Sequence, residues 1–247
     1  EARENADMAV IVISRFSGEG WDRSQVGYVD EDYPWQDEVT LPKRAERIFP
    51  KGDYYLTDAE QAMLEQVCTA FDKVAVVLNV GCVTDVSWFY ADDRIASVLL
   101  AYQGGMEGGV AVAELLTGEN TPCGKLPDTL ARDLKDYPST ANFHASPDYV
   151  DYTEDIYMGY RYFETLPGAA ERVCYPFGFG LSYTSFALET LEAKAADGTV
   201  SVAVRVTNTG TYAGKEVVQL YFEAPEGLLQ KPSRSLAAFQ KTALLQP

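Results

Sequence analysis

The sequence predicts an α/β fold, a parallel sheet with helical crossovers, followed by a shorter all-β region. Three observations carry this. The apolar runs Ala9-Val10-Ile11-Val12-Ile13 and Val74-Ala75-Val76-Val77-Leu78 show no polar alternation, as expected of strands buried on both faces. A helical pattern lies between them, and strand–helix alternation of this kind implies parallel strands joined by right-handed crossovers. Beyond Phe186 the apolar period drops to two, with Val200, Val202, Val204 and Val206 alternating with Ser201, Ala203, Arg205 and Thr207, the mark of a half-buried strand.

Taken in order, residues 2–7 form a turn or helix end feeding a strand at 8–14, which runs into Arg15-Phe16-Ser17-Gly18-Glu19-Gly20-Trp21-Asp22-Arg23. Glu19 stands between two glycines just beyond a strand end, where open α/β sheets bind ligands. Glycine neighbours leave that carboxylate approachable. Read alone, a single loop glutamate is more often a solvated acid. Asp22 and Arg23 are placed for a local ion pair that fixes the loop. Residues 24–52 are irregular, with prolines at 34, 42 and 50, and loops of this length are often functional. Trp21 and Trp35 are candidate stacking faces for a ligand ring, which the resemblance given below makes a sugar. Packing of the loop by the same two rings is an equal alternative.

Thr57 opens a helix with Glu60 three residues on, a capping box, and Met63, Leu64, Val67, Cys68 and Phe71 form its core stripe. A strand over 73–79 follows, then a short helical piece with Val86, Trp88 and Phe89, and a third strand over 95–102. Gly104-Gly105-Met106-Glu107-Gly108-Gly109 leads into a helix through Leu116, which Gly118 stops. This glycine cluster matches neither the dinucleotide fingerprint nor the phosphate-loop spacing, so close strand–helix packing is the better reading and a nucleotide site the weaker one. From Asp128 to Val173 the periodicity is lost. His144 there reads as a solvated loop histidine, and Asp155 and Arg161 are placed to pair. Tyr175 to Tyr183 reads as a Gly/aromatic hinge, Asn208-Thr209-Gly210 as a turn, and Val217 to Phe222 as a further strand.

Bulk properties narrow the function. A formal charge of −17 over 247 residues repels phosphate backbones and anionic headgroups, so neither nucleic acid nor a membrane surface is an expected partner. A neutral ligand is indifferent to that charge. The four cysteines, Cys68, Cys82, Cys123 and Cys174, form no CxxC pair, and His144 is the sole histidine, so no metal and no cofactor are expected. Such usage fits a reducing compartment, the cytoplasm being the favoured one, or simply a chain without disulfides, and it leaves the location open. No apolar run approaches the ~18 residues of a membrane span. The start at Glu1 reads as an internal point in a longer chain.

Four blocks resemble glycoside hydrolase family 3, the β-glucosidase family. They are Ser17-Gly18-Glu19-Gly20 with Asp22-Arg23, then Gln103 to Gly109 with Gly124-Lys125-Leu126-Pro127, then Tyr152 to Phe163, and Tyr175-Pro176-Phe177-Gly178-Phe179-Gly180-Leu181-Ser182-Tyr183. They occur in the family's order across nearly the whole chain. The resemblance implies an (α/β)6 sandwich over residues 1–165 with its first strands absent. It further implies a hinge over 166–186 and an incomplete fibronectin type III-like domain over 187–247. It also implies a retaining, exo-acting β-glycosidase acting on β-linked glucosides or related glycosides. Glu19 would be its general acid/base, and the nucleophile would be an aspartate on a separate (β/α)8 barrel domain of the same parent protein. A non-catalytic carbohydrate-binding or scaffolding module is the alternative.

Overall fold

The computed structural model describes residues 3–15, 49–143, 145, 146 and 148–247. The chain divides into two compact units, Glu1–Gly109 with Leu130–Asp151, and Val110–Thr129 with Tyr152–Pro247.

The first unit is built on a parallel sheet in the order β1-β2-β3, formed by Ala9–Arg15, Val74–Val80 and Ile95–Leu100. The register runs from Ala9 opposite Val74 to Arg15 opposite Val80. A shift between Val74 and Ala75 offsets the pairing with β3. Central strand β2 is buried at every position but Asn79. Val74, Val76 and Val80 are fully enclosed, each contributing about 1.5–3 kcal/mol by its removal from water.

Helix α1, Asp58–Ala70, connects β1 to β2. It starts as its sequence dictates: the Thr57 side chain accepts from the Glu60 amide, and Glu60 reaches back to the Thr57 amide. Leu64 and Cys68 point into the core, whereas Met63 of the expected stripe is exposed. A one-turn helix α2, Ser87–Tyr90, precedes β3.

One expectation fails at β1. Its residues alternate, with Ile11, Ile13 and Arg15 buried while Val10 and Val12 are 43% and 55% exposed. Among the described residues β1 is the last strand on its side of the sheet, and only its inward row is enclosed.

After β3 the glycine cluster makes a close approach only at Gly104, while nothing crowds a side chain at Gly105, Gly108 or Gly109. A side chain on Gly104 would sit 2.7 Å from the Gly108 Cα. Helix α3, Gly108–Thr117, follows and stops at Gly118. A short strand β4, Leu130–Ala131, belongs to the first unit.

In the second unit, Gly159 precedes a short helix α4, Tyr160–Thr165, anchored by the buried Phe163. A short strand β5 covers Val173–Tyr175. Two antiparallel pairs follow. Strands β6, Phe186–Ala196, and β7, Thr199–Asn208, form one. Strands β8, Val217–Phe222, and β9, Ser235–Lys241, form the other. Asp197 and Gly198 both have positive φ, 52° and 73°, the conformation a two-residue primed hairpin turn requires.

The Tyr175–Tyr183 block is fastened at several points within this unit. Leu126 donates to the Phe179 carbonyl and Gly178 to the Leu126 carbonyl, each at 2.8 Å. Lys125 donates to the Gly180 carbonyl and pairs with Glu216 at 2.9 Å. Phe177 stacks on Tyr160, with ring centres 4.6 Å apart. Asp155 and Arg161 do not pair. The Arg161 guanidinium lies instead 5.7 Å from the Tyr160 ring centre.

Candidate functional site

The carboxyl ends of β1 and β2 form the rim where a ligand of an open α/β sheet is expected. Period two places Arg15 in the same inward row as Ile11 and Ile13, so a guanidinium is carried below the surface at the strand's last residue. A buried charge requires a partner and a full set of hydrogen bonds, and Arg15 has both. Its Nη1 and Nη2 donate to Glu60 Oε1 and Oε2 at 2.7 and 2.8 Å. Its Nε donates to the Asp53 carbonyl at 2.7 Å, its Nη1 to the Ser14 carbonyl at 2.9 Å and its Nη2 to the Tyr55 carbonyl at 3.0 Å. All five guanidinium donors are therefore used. The guanidinium also lies 4.6 Å from the centre of the Phe49 ring, a cation–π contact.

The neighbouring carbonyl is held from the other strand. Thr84 Oγ1 and the Asp85 amide both donate to the Tyr54 carbonyl, at 2.9 and 3.0 Å. Three consecutive carbonyls, those of residues 53, 54 and 55, are thus tied alternately to the end of β1 and to the loop leaving β2. Tyr55 then donates its hydroxyl to Asp133 at 3.1 Å. Burial, and after it the Asp133 carboxylate, push the Tyr55 pKa up to about 12.

Glu60 closes the arrangement. Burial raises its pKa, but the Arg15 hydrogen bonds, the Thr57 amide and the guanidinium charge outweigh this and hold it below its ordinary value. It stays ionised and is occupied by Arg15 and Thr57, so it cannot donate a proton to a substrate. Asp85 is similarly engaged by the Ser87 amide and hydroxyl at 2.9 and 2.6 Å. Both carboxylates are thus taken up by hydrogen bonds that hold the rim together.

Glu19, Trp21 and Trp35 lie outside the described residues, as do Asp22, Arg23 and His144. Sequence reasoning passed over the Arg15–Glu60 pair. The available signal was an arginine continuing the inward row of an apolar strand, which demands a buried acid. The capping-box glutamate is that acid. Among the described residues no three His, Cys, Asp or Glu side chains are grouped to hold a metal ion. No helix among them is long and apolar enough to cross a membrane.

Comparison with known proteins gives a consistent set of matches. The family described as "Glycosyl hydrolase family 3 C-terminal domain" matches residues 1–183. Beta-glucosidase A of Butyrivibrio fibrisolvens is 53% identical over 262 aligned positions, which take in 100% of this chain and 31% of that protein. Among solved structures, a beta-glucosidase from Paenibacillus barengoltzii superposes with a TM-score of 0.84 at 45% identity, covering 100% of this chain and 25% of that one. Beta-glucosidase 3B from Thermotoga neapolitana, in complex with glucose, superposes with a TM-score of 0.82 at 41% identity, covering 100% and 31%. The chain spans less than a third of the length of each.

Proposed function

The chain belongs to the glycoside hydrolase family 3 C-terminal domain family, and on that premise we propose that it is the acid/base-bearing part of a retaining, exo-acting β-glucosidase. The observation that carries this reading is the Ser17-Gly18-Glu19-Gly20 block. It lies within the family match and just past the end of a parallel strand. Names support the substrate: the similar proteins are called beta-glucosidases, and one is in complex with glucose.

In this reading the parallel sheet is part of an (α/β)6 sandwich, and the pairs β6-β7 and β8-β9 are part of a fibronectin type III-like domain. The nucleophile is an aspartate on a (β/α)8 barrel elsewhere in the parent protein. Retaining glycosidases hold two carboxyl groups about 5–5.5 Å apart, one attacking the sugar and the other protonating the leaving oxygen and later activating water. Glu19 has the second task. It has to hold its proton near neutrality, which exclusion of water by the barrel would favour. Trp21 and Trp35 offer aromatic faces to the sugar ring.

The test is Glu19→Ala in the full-length enzyme. Hydrolysis of β-glucosides with poor leaving groups should collapse, and azide should partly restore turnover of activated ones. If neither happens, Glu19 is not the acid/base.

A further inference from the structure

We propose that Arg161 and the exposed apolar turns before it form a docking surface for a carboxylate on another part of the parent protein. The inference rests on the reading of this chain as part of a longer enzyme, and is independent of the role given to Glu19. Arg161 lies in α4. Its Nε is shut off from water and has no hydrogen-bond partner. Among the described residues the guanidinium meets the Tyr160 ring, 5.7 Å from the ring centre, and no carboxylate. Arg15, Arg94, Arg205 and Arg234 each bind a carboxylate oxygen at 2.7 Å or less. Arg132 and Arg172 form no such pair either, but both are exposed, and water serves their donors. A buried donor left without an acceptor is destabilising, and an acceptor brought from outside would remove that cost at Arg161.

The residues just before Arg161 suit a protein partner. Tyr152 and Met158 are 90% and 60% exposed, and Ile156 is exposed between them. They stand on turns closed by three backbone bonds. The Asp155 amide donates to the Tyr152 carbonyl at 3.2 Å, Tyr157 to Glu154 at 2.8 Å and Arg161 to Met158 at 3.2 Å. A fixed backbone therefore presents three large apolar groups within seven residues. Such patches mark interaction surfaces, and aromatic residues, methionine and arginine are enriched there. The planar fork of an arginine takes a carboxylate through two parallel bonds.

Charge and length choose the occupant. The formal charge of −17 opposes association with a second copy. The similar beta-glucosidases align along this entire chain, and more than two-thirds of each lies outside the match. A free partner needs about 1,000 Å² of interface to bind stably. A covalently linked one is held at high effective concentration, so one guanidinium and a small apolar patch suffice.

The experiment uses the purified full-length enzyme. Peroxide converts accessible methionine to its sulfoxide, phenylglyoxal modifies accessible guanidinium groups, and mass spectrometry reads both. Met158 should oxidise about tenfold more slowly in the native protein than in urea, with Arg161 protected alongside it. Arg161→Met should return Met158 to nearly its rate in urea. Arg161→Lys should keep part of the protection, since it retains the charge without the fork. Native Met158 oxidising at its rate in urea overturns the proposal, and so does protection that survives Arg161→Met. Protection of Arg161 beside a reactive Met158 points to a small anion, and protection lost on dilution to a second copy; either overturns it. If Arg161→Met does not fold, the two labelling rates of the native protein carry the test. Glu19→Ala should leave both rates unchanged whatever it does to hydrolysis, so the two readings fail separately.

Discussion

Arg15–Glu60 in the first unit and Arg234–Glu164 in the second are both two-pronged arginine–carboxylate pairs. Each arginine also stands over an aromatic ring, Phe49 at 4.6 Å and Tyr221 at 5.1 Å. Each joins residues far apart in sequence, 45 positions in one case and 70 in the other. Their surroundings differ. The Arg15 side chain is 1% exposed, and backbone carbonyls take its three remaining donors. The Arg234 side chain is 48% exposed and bonds only to Glu164, at 2.6 Å through each prong. The same chemistry therefore has two meanings. The two glutamates are equally covered, 21% exposed each, so the contrast lies in the arginines: water competes for the Arg234 guanidinium, and a pair of that kind is worth little. In the interior, removing the arginine strands the glutamate and takes a donor from three carbonyls. Position in the strand row, more than residue type, decides which pair organises the fold.

The comparison breaks most visibly at Arg15. Arg15→Met should destabilise the parallel sheet by about 3 kcal/mol, the lower end for breaking a buried pair, since Glu60 is reached by some water. Amide hydrogen exchange at 9–15 and 74–80 in the intact protein reads this directly. A loss below ~1 kcal/mol would make the two forks equivalent.

Acid sharpens the same contrast. The folded-state pKa of Glu60 lies below its ordinary 4.5. Its ionised form therefore stabilises the fold above that pH, and the contribution is lost as pH falls through the depressed value. The stability gap between the native protein and Glu60→Gln should be constant from neutrality to about pH 5 and close below it. Unfolding midpoints at a series of pH values measure the gap. A gap that persists to pH 2 would mean that the carboxylate charge contributes nothing.

Thr57 tests how far the clasp depends on the helix cap. Its hydroxyl bonds the Glu60 amide at 3.1 Å and a Glu60 carboxylate oxygen at 3.0 Å. Thr57→Ala should cost about 1 kcal/mol, the usual worth of such a cap. Thr57→Ser should recover most of it. A loss approaching that of Arg15→Met would show that cap and ion pair form a single cooperative unit.

What could be read from the sequence follows how local each signal is. The capping box at Thr57 and Glu60, the apolar run of β2 and the strand Val217–Phe222 depend on near neighbours, and all three appear as expected. Strand β6 was not anticipated. Its Ala, Glu and Leu content, FALETLEAKAA, suits a helix, and pairing with β7 across the Asp197-Gly198 turn overrides that preference. Helix α4 was hidden by its aromatic residues, which are poor helix formers, and Phe163 compensates by burial. The Arg15–Glu60 bond joins residues 45 apart, a proximity that no periodicity reports. The one-sided burial of β1 was missed because an unbroken apolar run reads alike whether one face or both are covered. The site residues chosen from sequence, Glu19, Trp21 and Trp35, fall outside the described residues, so the scaffold around them is described and their geometry is not.

The smallest expected effect completes the contrast. Arg234→Met removes a pair that water already solvates, and should cost no more than about 1 kcal/mol at low salt. The Debye length shrinks from about 30 Å at 0.01 M to about 3 Å at 1 M salt, so the loss should fade as salt is added. The loss for Arg15→Met should change much less over the same range, because salt screens a pair with a buried guanidinium far less than an exposed one. Urea unfolding of both variants at the two salt concentrations reads the difference. If Arg234→Met were costly and salt-insensitive, the exposure of its guanidinium would be a poor guide, and the Tyr221 ring beneath it would have to be shielding the pair.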